Sequence, residues 1–213
     1  MSRISENRYG WEYAFELGNE TPYQITPPNE IKRKIPETLY KYSGLTENSV
    51  EALKEKYIYA PHPQQLNDPF DCYERLIGFD DPNAIRKFLA GSMEPDKLEE
   101  ALKFPSDEFK HFVQYNFSLI IYSKIGILSL TEDPHSMLMW AYYSLHQGFA
   151  IEYNFKKFNF RYHGPFQMNY QKELNAMSIK YTGICVPYQS NLKSKEWEHE
   201  MEWRIIPEVS DGK

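Results

Sequence analysis

Ionisable and apolar side chains crowd together most closely in Glu198-His199-Glu200-Met201-Glu202-Trp203-Arg204, near the end of this 213-residue chain. Read as a strand, the stretch sets Glu198, Glu200, Glu202 and Arg204 on one face and Met201, Trp203 and Ile205 on the other. Carboxylates stacked on one face repel unless a cation or a hydrogen-bonding ligand offsets them. Two readings follow. Arg204 can serve as an internal partner on a solvated face, or Glu200 and Glu202 can face a cleft as a carboxylate pair. Ser129 and Thr131 share a face in a second stretch, where paired hydroxyls can hold an amide or a ribose without charge. Their alternative is to bond neighbouring backbone. Asn67-Asp68-Pro69-Phe70-Asp71 carries turn chemistry, because Asn and Asp side chains bond backbone amides and Pro69 fixes the exit. It predicts an ordered loop with Asn67 or Asp68 bonded to backbone and Phe70 plugged into the core.

The elements that must position these residues centre on Gly126–Tyr153. Ile127 to Thr131 is a short apolar run of strand type, broken by Glu132-Asp133-Pro134. A helix follows with Met137, Leu138, Trp140, Ala141 and Leu145 as its apolar face and Gly148 as its cap. Phe149, Ile151 and Tyr153 then alternate with polar residues, as a half-buried strand does. Leu39 to Tyr42 and Tyr57 to Ala60 read as strands flanking a helix from Asn48 to Lys56. Asn83 to Lys124 is helical in three pieces, parted at Gly91-Ser92 and Phe104-Pro105-Ser106. Phe155 to Thr182 reads as antiparallel strands around Gly164-Pro165, Lys193 to Trp197 as a turn or short helix, and Met201 to Ile206 as a closing strand. Residues 1–36 are polar and proline-punctuated, an arm or extension rather than core. The expected architecture is α+β: one domain over 37–213, a twisted, mainly antiparallel sheet with a helical insertion over about 83–124.

Lys plus Arg number 24 and Asp plus Glu 30, and the resulting charge of −6 argues against a nucleic-acid surface spread over the whole molecule. Cys72 and Cys185 make no disulfide scaffold and no CxxC pair. The first residues lack the apolar core of a signal peptide, and the longest apolar-rich patch, Phe112 to Ile121, is too short to span a bilayer. A soluble, cytoplasmic protein is expected. No HExxH grouping is present and no metal is expected; no GxSxG marks a hydrolase nucleophile elbow, and no GxGxxG or P-loop pattern marks a Rossmann or P-loop nucleotide fold.

Leu39-Tyr40-Lys41-Tyr42, Asn67 to Asp71, Ser129-Leu130-Thr131 with Met139-Trp140-Ala141-Tyr142-Tyr143, and Glu200-Met201-Glu202-Trp203-Arg204 together resemble the bacterial Domain of Unknown Function 2971 family. The resemblance spans Leu39 to Ile206, and members of that family extend further past the closing strand. The order of a basic residue in a first strand, Ser-x-Thr ending a middle strand and Glu-x-Glu late in the chain is similar, more distantly, to the ADP-ribosyltransferase superfamily. That resemblance implies NAD as the substrate. Tyr40 and Lys41 would contact the cofactor's ribose, and Ser129 and Thr131 its nicotinamide side. Glu202 would serve as the catalytic carboxylate beside the nicotinamide ribose, with Glu200 as its auxiliary. Lys41 departs from the Arg or His of that superfamily and lacks the planar guanidinium fork.

A carboxylate beside the ribose stabilises the positive charge that develops as nicotinamide leaves, and Trp140 or a tyrosine can stack on a ring. The leading expectation is therefore an NAD-using transferase or glycohydrolase. The bacterial kinship implies a toxin or phage-defence effector, with the acceptor, protein or nucleic acid, left open. Two rivals stand beside it. One is a non-catalytic module that binds a nucleotide or a protein, favoured if Glu202 is locked to Arg204. The other is a metal-dependent nuclease using Asp68, Asp71, Glu200 and Glu202, against which the absence of a nearby Lys in nuclease-like spacing counts.

Overall fold

The computed structural model describes residues 3–16, 18, 22–91, 93–101, 103, 106–122 and 125–207. In chain order it contains β1 (Arg3–Arg8), β2 (Trp11–Glu16), β3 (Tyr23–Thr26), β4 (Leu39–Gly44), α1 (Glu47–Glu55), β5 (Ile77–Gly78), α2 (Pro82–Ala90), α3 (Pro95–Ala101) and α4 (Ser106–Tyr122). There follow β6 (Leu128–Thr131), α5 (Met137–Ser144), β7 (Gly148–Tyr153), β8 (Tyr162–Gln167), β9 (Asn169–Gln171), β10 (Met177–Ser178), α6 (Thr182–Asn191), β11 (Leu192–Ser194) and β12 (Glu202–Pro207). The fold is α+β with mainly antiparallel sheets. A five-stranded sheet in the order β7-β4-β6-β12-β8 holds every strand of the site except β11, which pairs in parallel with β9.

Local chemistry explains the boundaries. Thr46 and Ser49 form a reciprocal capping box at α1, and Asp81 caps α2 through the amides of Asn83 and Ala84 while Pro82 occupies the first turn. Of three apolar clusters among the described residues, the two larger organise the fold. Trp11 and Tyr13 of β2 join Leu89, Val113, Phe117, Ile184 and Tyr188 in one. Leu39, Leu128, Leu130, Trp203 and Ile205 form the other, on one face of the five-stranded sheet.

The polar arm expected over residues 1–36 instead contributes β1, β2 and β3, a three-stranded antiparallel sheet seated on α6, with Trp11 and Tyr13 fully buried. The alternation Trp11-Glu12-Tyr13 carries that burial. Tyr57 to Ala60 form no strand; the segment runs alongside residue 127, whose amide bonds the Pro61 carbonyl at 2.9 Å. Gly164-Pro165 lies inside β8 rather than at a turn, and Ile179 to Tyr181 is a 3₁₀ turn rather than a strand. Gly164 has φ +107°, and a Cβ there would meet the Arg204 carbonyl oxygen at 2.6 Å, so glycine lets β8 close against the bulge at Arg204–Ile206.

The helical insertion forms its expected pieces; the Phe104-Pro105 break and the ends at Ser92 and Lys124 lie outside the described residues. α5 is rotated from the expected phase: Met139 and Ser144 are buried, whereas Met137, Leu138 and Leu145 are exposed. Its cap is Leu145 in the left-handed region, not Gly148, which opens β7. Trp140 is only half-buried against Tyr42, while Trp203 is 2% exposed as expected. Phe70, expected in the core, is 56% exposed. Among the described residues no helix is long and apolar enough to cross a membrane.

Candidate functional site

Cross-strand register brings the chemistry together. Glu202 of β12 pairs with Thr131 of β6, which pairs with Tyr40 of β4, and Arg204 pairs with Ser129. Opposed residues of an antiparallel ladder point to one face, so Glu202, Arg204, Ser129, Thr131 and Tyr40 share the face opposite the Trp203 cluster. Glu200 reaches the same place by another route. It ends a 3₁₀ turn over Lys195–Glu200, and Met201 at φ 48° swings the chain into β12. The continuous strand face expected from Glu198 onward is therefore broken, and Glu198 is exposed.

These side chains floor a cleft of about 290 Å³ whose walls include Lys41, Tyr42, Asn67, Met139, Tyr143 and Lys193. Lys41, Ser129, Glu200 and Glu202 all line it, as do Tyr40 and Thr131. Trp140 does not; it stands behind Tyr42, its indole N–H donating to the Pro134 carbonyl at 3.1 Å.

The floor is ionic and its side chains are buried. Glu202, Arg204, Lys193, Glu200 and Asp71 are each at most 6% exposed. Arg204 donates through Nε to Glu202 Oε1 at 2.7 Å and forks onto both carboxylate oxygens of Asp71, with Nη1 at 2.7 Å from Oδ1. Lys193 Nζ donates to Glu200 Oε2 at 2.5 Å and to Glu202 Oε2 at 2.9 Å. Tyr143 donates its hydroxyl to Glu200 Oε1 at 2.5 Å, and the Asn67 amide donates to that hydroxyl at 3.2 Å. Buried charges at this depth require such close pairing.

The two carboxylates are driven apart in acidity. Burial alone would push the Glu202 carboxyl up, but the Arg204 guanidinium and the Lys193 ammonium hold it well below the usual carboxylate range. Glu200 moves the other way: burial and then the neighbouring Glu202 charge raise it, against the pull of Lys193. Lys41 is lowered by burial, partly offset by Glu202.

The hydroxyl pair divides. Thr131 Oγ1 donates to the Glu200 carbonyl at 2.6 Å and accepts from the Asp133 amide at 3.1 Å, so it positions Glu200 rather than a ligand. Ser129 Oγ is buried and has no hydrogen-bond partner among the described residues. In the loop, Asp68 Oδ1 accepts from the Phe70 amide at 2.9 Å as expected, while Asp71 is delivered to Arg204. The point where Asp71, Glu200 and Glu202 converge is filled by Lys193 Nζ, and among the described residues no group of three or more His, Cys, Asp or Glu is placed to hold a metal ion.

Sequence reasoning missed Lys193 and Tyr143. Three clustered carboxylates with one arginine imply a further cation, which is the only sign of Lys193. Met139 and Tyr143 stand four apart on a helix, so burial of the first brings the second to the same face. No protein-family model, curated protein or solved structure matches this chain.

Proposed function

We propose that the cleft binds NAD and breaks its nicotinamide–ribose bond, as an ADP-ribosyltransferase or an NAD glycohydrolase does. The observation that carries this reading is the convergence of Lys41, Ser129, Glu200 and Glu202 on one cleft, with its two carboxylates set apart in acidity. The bond breaks with its electron pair leaving on nicotinamide, and positive charge develops on the ribose. The Glu202 carboxylate opposes that charge from a fixed position. Glu200 receives the proton of the incoming water or acceptor hydroxyl, relayed through Tyr143 or directly. The Ser129 hydroxyl holds the carboxamide. Kinship with the Domain of Unknown Function 2971 family, a cytoplasmic setting and a toxin or phage-defence role belong to the same proposal and rest on the motif resemblance.

A second reading has its own support. Glu202 is held by Arg204 and Lys193, which offsets much of the charge a ribosyl cation needs; this favours a cleft that binds a nucleotide without cleaving it.

Calorimetry with NAD, followed by nicotinamide release with and without cell lysate as a source of acceptor, separates the two. Glu202→Gln is expected to keep NAD affinity within a few-fold and to lower nicotinamide release about 100-fold, the scale for one preorganised electrostatic group. Ser129→Ala weakens binding itself. Binding without release would leave the non-catalytic reading; no binding at millimolar NAD would remove both.

A further inference from the structure

A second, larger cavity adjoins the cleft. It measures about 510 Å³, and its lining includes Ser43, Ala52, Tyr57, Tyr59, Ile151 and Tyr153. It lies on the opposite face of β4: Lys41 and Ser43 alternate with Tyr40 and Tyr42, and Lys41 is paired across the strands with Ile151. Lys41 lines both spaces. The reason is topological. β4 meets β6 at the single pair Tyr40–Thr131, so among the described residues no further ladder pair joins the two strands beyond it.

A second wall is also continuous. The segment 57–67 gives Tyr57 and Tyr59 to the larger cavity and Pro61, Gln65 and Asn67 to the cleft. Tyr59 donates its hydroxyl to Gln65 Oε1 at 2.6 Å across the junction.

The two spaces differ in chemistry. The hydroxyls of Thr46 and Ser49, which also border the larger cavity, are committed to the α1 cap. Beside the polar Ser43, Asn48 and Lys41, what remains is rings and aliphatic carbon, with Tyr57 and Tyr59 each about half exposed, a surface suited to a planar base. At the junction, Lys41 makes no hydrogen bond or ion pair with any described residue and feels only the nearby Glu202 charge, so an anionic group passing there would meet an amine free to turn toward it. The cleft alone is slightly smaller than the ~300–1,000 Å³ typical of ligand sites, and the two spaces together fall within that range.

We propose that cleft and cavity are two halves of one site, in which the larger cavity takes a purine ring and Lys41 contacts the phosphates that link the halves. The ligand class is then a pyrophosphate-linked dinucleotide, seated on both faces of β4 through the split beside β6. This deepens the NAD reading above and rests on it.

The test is calorimetry of the full chain with NAD, ADP-ribose, nicotinamide mononucleotide and AMP, on the wild type, Lys41→Met and Ala52→Trp. NAD and ADP-ribose are expected to bind at least tenfold more tightly than either mononucleotide. Ala52→Trp fills the larger cavity and should weaken NAD and AMP at least tenfold while leaving nicotinamide mononucleotide within twofold. Lys41→Met should weaken all the phosphate-bearing ligands. If circular dichroism shows Ala52→Trp unfolded, Tyr59→Ala replaces it, because an exposed ring is lost at little cost to the fold. Equal affinity for NAD and nicotinamide mononucleotide, or equal weakening of both by the cavity variant, overturns this proposal and leaves the NAD-cleaving reading intact. Tight AMP binding without nicotinamide mononucleotide binding keeps the purine cavity and removes the cleft reading. No binding of any of the four removes both.

Discussion

The two faces of the five-stranded sheet carry equally buried residues of opposite chemistry. On one, Leu39, Leu128, Leu130, Trp203 and Ile205 pack as an ordinary apolar cluster. On the other, Glu202 and Arg204 are just as buried, yet they meet Lys193, Glu200 and Asp71. Alternation of apolar and charged residues along a strand usually means one face in water. Here the charged face is roofed by α5, β11 and the loop at Asp71, so its ions must satisfy one another. The apolar face tolerates substitution by volume; the ionic face is exacting, because removing one member strands the others. A face of the second kind is a poor way to gain stability and a good way to hold charges in place for a ligand.

The sharpest way to break that contrast is Arg204→Ala. It leaves Asp71 and Glu202 buried without their shared guanidinium, and chemical denaturation should show a loss of about 4–5 kcal/mol. Adding Asp71→Asn should recover part of it, which a purely packing role for Arg204 would not allow. On the apolar face, Trp203→Ala should cost about 3–4 kcal/mol. Trp140→Ala, half-buried beside Tyr42, should cost clearly less in the same titration.

Thr131→Val keeps the shape but leaves the Glu200 carbonyl and the Asp133 amide without their partner, for a loss of about 1–2 kcal/mol.

The smallest effect is in pH dependence, and the two carboxylates give it opposite signs. Glu200 is raised in the fold, so the native state holds its proton more tightly and stability rises as pH falls from neutral toward the unfolded value of about 4.3. Glu202 is depressed, so its contribution is complete above about that value and is lost as pH falls below it. Urea midpoints should therefore pass through a shallow maximum on the acid side of neutrality. Glu200→Gln should abolish the rise and leave the acid-side fall.

How much of this was legible depended on where the partners lie in the chain. The period of two in Glu202 to Ile205 gave Trp203 with Ile205 and Glu202 with Arg204, because those relations are local. That the charged side is buried was not legible, since Asp71 stands 133 residues from Arg204. Lys193 reads like any surface lysine until β11 carries it inward. α6 is not legible because Ile184 to Asn191 are buried all round, with Pro187 among them, and such a helix has no polar face to mark its period. The phase of α5 misled for a related reason: apolar residues surround it, and the exposed Met137, Leu138 and Leu145 mimic a core stripe. At Trp11 to Tyr13 the alternating pattern was present, but the surrounding prolines and polar residues outweighed it.

The single pairing of β4 with β6 also gives one strand two unlike edges. Along β7 the ladder runs the whole strand from Leu39 to Gly44, whereas toward β6 it ends after Tyr40. Alternate amides of an antiparallel strand point to opposite neighbours. In heavy water, β4 should therefore exchange its hydrogens in two populations: a slow set locked by β7 and a fast set beyond Tyr40 that faces the split. Anything seated across that split would slow the fast set alone, so the strand itself reports occupancy, residue by residue, without an assay of turnover.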